Sequence, residues 1–108
     1  MNCFCLENLD DLEFIKESFN ILSEPNRIKI LCILGKNEKL CVCEIEKVLN
    51  LKQNLVSHHL GVFKRIGLLK QERIGTSIYY SINPETYTKL KNLVGTIFNF
   101  KFFYLGKL

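Results

Sequence analysis

No stretch of this chain is apolar for long enough to cross a membrane. The richest segment, "LVGTIFNFKFFYL" from Leu93 to Leu105, is broken by Asn99 and Lys101 and is too short to span. A secretory signal is lacking as well, because the first dozen residues carry Glu7, Asp10 and Asp11 where a basic start and an apolar run would be needed. There is no C-x-x-C motif, no internal repeat, no low-complexity tract and no linker. These absences argue against a membrane protein, an exported disulfide scaffold, a thioredoxin-like oxidoreductase and a solenoid. The expectation that remains is a cytoplasmic protein without membrane association, whose five cysteines are kept reduced.

With 108 residues, 47% of them hydrophobic and 24% charged, residues 1–108 suit one globular domain and are too few for two ordinary cores. The net charge of +4 permits an acidic partner without requiring one, so placement of the charge matters more than its total.

Hydrophobic spacing divides the chain into elements. Leu9, Leu12, Ile15, Phe19 and Leu22 recur at three- and four-residue steps and predict one apolar stripe on a first helix. "SEP" at Ser23 to Pro25 reads as the start of a second helix, with Ser as N-cap and Pro in the first turn. That helix, Asn26 to Leu34, is apolar nearly all round from Ile30 onward, so it should be buried, with Cys32 packed in its core. Val42, Ile45, Val48 and Leu49 give the stripe of a short third helix, and Asn50 supplies the left-handed corner that follows. A fourth helix, about Lys52 to Ile66, turns Val56, His59, Leu60 and Phe63 inward and Asn54, Ser57, His58, Gly61 and Arg65 outward. Two strands, Leu68 to Arg73 and Ser77 to Ile82, flank "IGT" as a hairpin. Asn83 and Pro84 open a last helix, expected over 84–105, whose wide apolar face suggests a homodimer interface shared with the first helix. Residues 1–8 read as a flexible arm.

Helix, helix, tight turn, helix and hairpin make a mainly α fold with a β-hairpin wing, a winged helix-turn-helix. The second helix of the turn motif would enter the major groove of double-stranded DNA while the basic hairpin follows the backbone. Lys64, Arg65, Lys70 and Arg73 gather positive charge around that helix and the wing.

Two cysteine pairs remain to be accounted for. Cys41 and Cys43, in "LCVCEIEKVLN", stand two apart, and in a helix interior they would point to opposite sides. At a helix start both sulfurs can project past its end, where the backbone N–H groups and the helix dipole favour thiolate, although Glu44 and Glu46 oppose this slightly. Cys3 and Cys5 form a second C-x-C pair. Neighbouring His58 and His59 diverge by about 100° around a helix and do not make a shared metal site. His59 falls on the apolar side as a hydrogen-bonded core histidine, and His58 falls on the polar side.

From about Asp10 to Asn83 the sequence resembles the ArsR/SmtB family of metal-responsive repressors. "ILSEPNRIKILCIL" is similar to the family's second helix, "KLCVCEIEKVL" to its metal-sensing helix, and "NLVSHHLGVFKRIGLLKQERIGTSIYYSI" to its recognition helix and wing. The resemblance implies a homodimer, not an enzyme, that binds an inverted-repeat operator and releases it when an inducer binds. It matches Gln53, Asn54, Ser57 and His58 to DNA-contact positions. In the arsenic branch a third cysteine follows the C-V-C pair, and here Glu46 holds that place. In the cadmium, lead and zinc branch an N-terminal pair completes the site, a part Cys3 and Cys5 could play beside Cys41 and Cys43. The expected inducer is a soft ion, Cd(II), Pb(II), Zn(II) or, with three thiolates, As(III). The last helix, 84–105, contains no histidine, so the second zinc site of some relatives is not expected. Lys52 stands where the family commonly has a capping Ser, and Gly61 lies mid-helix.

Two other functions compete with a metal-released repressor. One is a DNA-binding regulator of the same fold in which the C-x-C pairs act as a redox switch. The other, from a different class, is a small thiol oxidoreductase or metal-buffering protein.

Overall fold

A computed structural model describes residues 8–99 of the chain. Helix α1 (Leu9–Leu22) starts where Asn8 Oδ1 accepts the Asp10 N–H at 2.8 Å. It buries Ile15, Ser18 and Ile21, whereas Leu9, Leu12 and Phe19 of the expected stripe face outward. The apolar residues of α1 therefore divide between two surfaces, one in the core and one exposed. Ser18 is buried without penalty because its hydroxyl donates to the Phe14 carbonyl oxygen at 2.7 Å.

Helix α2 (Pro25–Gly35) begins at Pro25 with Glu24 as its N-cap. Ser23 closes α1 instead of opening α2, its N–H and hydroxyl both donating to the Asn20 carbonyl oxygen. Within α2 only Ile30 and Leu34 are buried. Cys32, expected in the core, is exposed, because two residues from Ile30 the helix has turned to its far side.

Strand β1 (Leu40–Cys41) leads directly into helix α3 (Val42–Leu49). Ile45 is fully buried, while Val48, which the stripe placed inward, is 62% exposed. Asn50 takes the left-handed conformation (φ 54°, ψ 48°), and helix α4 (Gln53–Arg65) starts three residues on. Val56, His59, Leu60 and Phe63 of α4 all face inward as expected, joined by Val62. The helix ends when Gly67 adopts φ 79°, its N–H reaching the Lys64 carbonyl while the Leu68 N–H reaches that of Phe63.

Strands β2 (Leu69–Ile74) and β3 (Ser77–Ile82) form the hairpin around Gly75, which takes φ 64°. The sheet has a third member that the pattern of apolar residues did not announce. Its antiparallel order is β1-β3-β2, with Leu40 opposite Tyr80 and Cys41 opposite Tyr79. Strand β3 is the central strand, and all six of its residues are half-buried. Lys39 reinforces the clasp, with Nζ 5.8 Å from the centre of the Tyr79 ring and 3.9 Å from Glu72 Oε2.

Helix α5 (Pro84–Ile97) starts as read, with Asn83 Oδ1 accepting the Glu85 N–H at 3.2 Å. It ends at Ile97, short of the expected extent, and the rest of the expected helix beyond Asn99 lies outside the described residues. Leu90 is buried in the core, and Lys89 reaches from α5 to α1, 3.8 Å from Asp11 and over the Phe14 ring. Tyr87, Ile97 and Phe98 are exposed, on the same pair of helices that leaves Leu9, Leu12 and Phe19 uncovered. No described helix is long and apolar enough to cross a membrane.

Candidate metal and nucleic-acid sites

Cys41 occupies three structural roles at once. It is the last residue of β1, the pairing partner of Tyr79 and the N-cap of α3, with the extended backbone (φ −84°, ψ 164°) an N-cap needs. The spacing C-x-x-E then acts as a capping box. The Cys41 N–H donates to Glu44 Oε1 at 3.0 Å, and the Glu44 backbone N–H turns to the Cys41 sulfur. This hydrogen bond from Cys41 is the leading reason the Glu44 carboxyl is held below its usual range. From sequence alone Glu44 is a charge opposing thiolate. Its pattern, three residues after a cap, was the signal that it would fold back.

Cys41 is 7% exposed, while Cys43, in the first turn of α3, faces solvent. The neighbouring Cys43 side chain, followed by burial, raises the Cys41 thiol above the ordinary cysteine range. The expectation that the helix start would favour thiolate at Cys41 is therefore reversed: the neighbouring Cys43 and the loss of solvent outweigh the N–H groups. Cys3 and Cys5 lie outside the described residues.

The two cysteines open onto a cleft of about 260 Å³ whose other walls come from Gln53 of α4 and from Thr76, Ser77 and Ile78 at the turn end of the wing. Two adjoining sulfurs suit a thiophilic ion, whereas the hydroxyls and amide of the other walls are harder donors. Among the described residues, no cluster of three or more His, Cys, Asp or Glu side chains is assembled. Two thiols make half of a tetrahedral set.

Gln53, Asn54, Ser57 and His58 are all exposed, on the first two turns of α4, and Lys64 and Arg65 are exposed at its end. Lys52 precedes the helix without providing a side-chain cap, as expected of a lysine. Lys70 and Arg73 are exposed on β2. An odd separation puts them on opposite faces of the strand, so they flank the wing instead of forming one basic face with α4. Gly61 lies on the exposed side of α4, with open space beyond the helix's own backbone where a Cβ would stand.

His59 is the core histidine foreseen, but its partners were not legible. Arg27 Nε donates to His59 Nδ1 at 3.0 Å, which leaves Nε2 to carry the ring proton, 3.6 Å from Glu24 Oε2. That carboxylate oxygen is buried with no hydrogen bond of its own. Burial first, then Arg27 and His58, lower the His59 pKa against the opposing pull of Glu24. Glu24 and Arg27 bracket the first turn of α2, so this contact fixes the start of α2 to the middle of α4. Only the general need of a buried imidazole for partners hinted at it.

Residues 24–71 match the sequence signature described as "Bacterial regulatory protein, arsR family". The chain is 34% identical over 84% of its length to the cadmium resistance transcriptional regulatory protein CadC of Listeria innocua, covering 74% of that protein. Among solved structures it is similar to the transcriptional repressor PagR of Bacillus anthracis, with a TM-score of 0.66 and 37% identity over 80% of this chain and 99% of that one. It is also similar to the homodimeric winged helix-turn-helix DNA-binding domain of a possible ArsR-family regulator from Mycobacterium bovis. There the TM-score is 0.65 and the identity 27%, covering 82% of this chain and 79% of that one.

Proposed function

This chain belongs to the arsR family of bacterial regulatory proteins, and we propose that it acts there as a homodimeric repressor that binds operator DNA when metal-free and releases it when a soft metal reaches Cys41 and Cys43. The family is one of regulators, not enzymes. The observation that carries the reading is that the two cysteines at the start of α3 line one cleft together with Gln53, the first residue of α4. Relatives named for cadmium resistance make a thiolate-seeking ion the natural inducer, and Cd(II), Pb(II), Zn(II) and As(III) all prefer sulfur-rich sites.

The residues divide the work as follows. Cys41 and Cys43 hold the ion, with Cys3 and Cys5 as the further thiolates that a three- or four-sulfur set requires. An ion bound there would supply metal–sulfur bonds to the two cysteines, whose thiol protons would leave as it binds. Gln53, Asn54, Ser57 and His58 offer amide, hydroxyl and imidazole groups to base edges and phosphates, and Lys64, Arg65, Lys70 and Arg73 neutralise backbone charge. The uncovered apolar residues of α1 and α5 join two copies, so that two recognition helices meet an inverted repeat. Residues 1–108 act as one domain in a cytoplasmic protein.

The test is operator binding under reducing conditions, titrated with Cd(II), Pb(II), Zn(II) and arsenite, using DNA from upstream of the gene. One of these ions should release the native protein and fail to release a Cys41→Ser, Cys43→Ser variant. If the reduced protein binds DNA and no ion releases it, the metal reading is wrong. The adjoining Cys41 and Cys43 side chains would then favour a thiol redox switch, sensitive to peroxide and indifferent to chelators.

A further inference from the structure

We propose that Gln53 couples the cysteine pair to the DNA-reading surface, by being shared between the two. This rests on the repressor reading above and assigns the link within it. Of the residues around the sensor cleft, Cys41, Val42 and Cys43 belong to β1 and α3 and Thr76, Ser77 and Ile78 to the wing; Gln53 alone belongs to α4. It is also the first residue of that helix, it is exposed, and it is a candidate for base contact. Lys52 gives the helix start no side-chain cap, so the Gln53 side chain at this end of α4 is not held by one.

The chemistry makes the two uses of Gln53 exclusive. Its amide presents one carbonyl oxygen and one NH₂, and bidentate contact with an adenine edge consumes both. Cd(II) held by two thiolates is neutral and by three or four is negative, so the loaded cleft draws in the amide NH₂, which can donate to a metal-bound sulfur, and repels the carbonyl oxygen. An amide turned into the cleft is lost to the base edge. Coupling of this kind works inside one protomer, through a side-chain reorientation, and needs no displacement of one protomer against the other. By reciprocity, DNA that engages Gln53 lowers the affinity of the cysteines for metal by the same factor.

The experiment compares the full chain, Gln53→Ala and Asn54→Ala by fluorescence anisotropy with the upstream DNA, with and without Cd(II). Asn54 is the control: it stands beside Gln53 on α4 but does not line the cleft. Both variants should bind DNA more weakly than the native protein. The ratio of metal-free to Cd(II)-loaded affinity should stay native in Asn54→Ala and fall by about fivefold or more in Gln53→Ala, within the usual range of coupling between sites. Cd(II)–thiolate absorption should show that Gln53→Ala still binds the ion. In the DNA-free native protein, the side-chain amide resonance of Gln53 should move on Cd(II) addition and that of Asn54 should not.

A Gln53→Ala protein that binds Cd(II) and keeps the native ratio overturns the assignment while leaving the repressor reading intact. A native protein that binds Cd(II) and holds its DNA unchanged overturns both.

Discussion

Arg27 Nε and His59 Nδ1 are 3.0 Å apart, joining the first turn of α2 to the buried face of α4 across 32 residues of sequence. The guanidinium also reaches the Ile21 carbonyl oxygen at 3.4 Å, so one side chain ties three helices together. Removing it strands a buried imidazole nitrogen, which costs about 1–3 kcal/mol. Arg27→Ala should therefore lower the free energy of unfolding in urea by about that amount, and an unchanged midpoint would show that the contact adds nothing net.

The same imidazole makes stability depend on pH in one direction. Its folded pKa lies below the ordinary value of 6.5, so the unfolded chain takes up the proton more readily than the folded one. Its contribution is complete above about pH 6.5 and is lost as the pH falls from there toward the folded pKa. Protonation at Nδ1 would also set a proton against the Arg27 donor. Urea midpoints measured across this window should fall toward acid, and His59→Gln should flatten that slope while shifting the whole curve down.

Thiol accessibility separates the described cysteines. Cys32 and Cys43 are exposed and Cys41 is buried, with its pKa raised by Cys43 and by burial. Pulse alkylation of the reduced, metal-free protein, mapped by mass spectrometry, should modify Cys32 and Cys43 well before Cys41, since only accessible thiolate reacts. Equal rates at Cys41 and Cys43 would show that the capped position is open in solution.

Gly61 sits in the exposed middle of α4 with open space where a methyl group would stand. Gly61→Ala should stabilise the protein by about 1 kcal/mol through helix propensity alone. Its effect on DNA then decides the residue's purpose. A more stable protein with weakened DNA binding marks Gly61 as a point of close backbone approach, and unchanged binding marks it as a neutral weakness of the helix.

Most of the fold was readable because periodicity reports burial directly. Val56, His59, Leu60 and Phe63 form the inward face of α4 just as their spacing indicated, and Asn50 supplies the left-handed corner. The errors fall where one apolar residue could serve two surfaces. Leu9, Leu12 and Phe19 have core-like spacing and are exposed, and Cys32 stands among apolar neighbours on a helix of which only one edge is buried. Spacing identifies a face but cannot say what covers it. Strand β1 was missed because a two-residue strand has no period, and its pairing with β3 depends on contacts some 39 residues apart in sequence. At the candidate site the cysteines were visible from their type and spacing alone. The cleft shared with Gln53 and the wing was not, since only the sheet register brings Ser77 and Cys41 together.

The capping role of Cys41 has a genetic consequence. Sulfur at an N-cap is a weak substitute for the Ser, Thr, Asp or Asn that the position prefers, and the capping box with Glu44 would accept a serine without rearrangement. Folding therefore exerts no pull toward cysteine here. A single-nucleotide change to serine would keep the capping box, and under the proposed function it would cost the protein its response to the inducer alone. Where that response confers no advantage, position 41 should drift to oxygen-bearing residues while Ile45 and Phe63 hold fast. The side chain found at 41 in neighbouring lineages would thus record whether each still meets the signal.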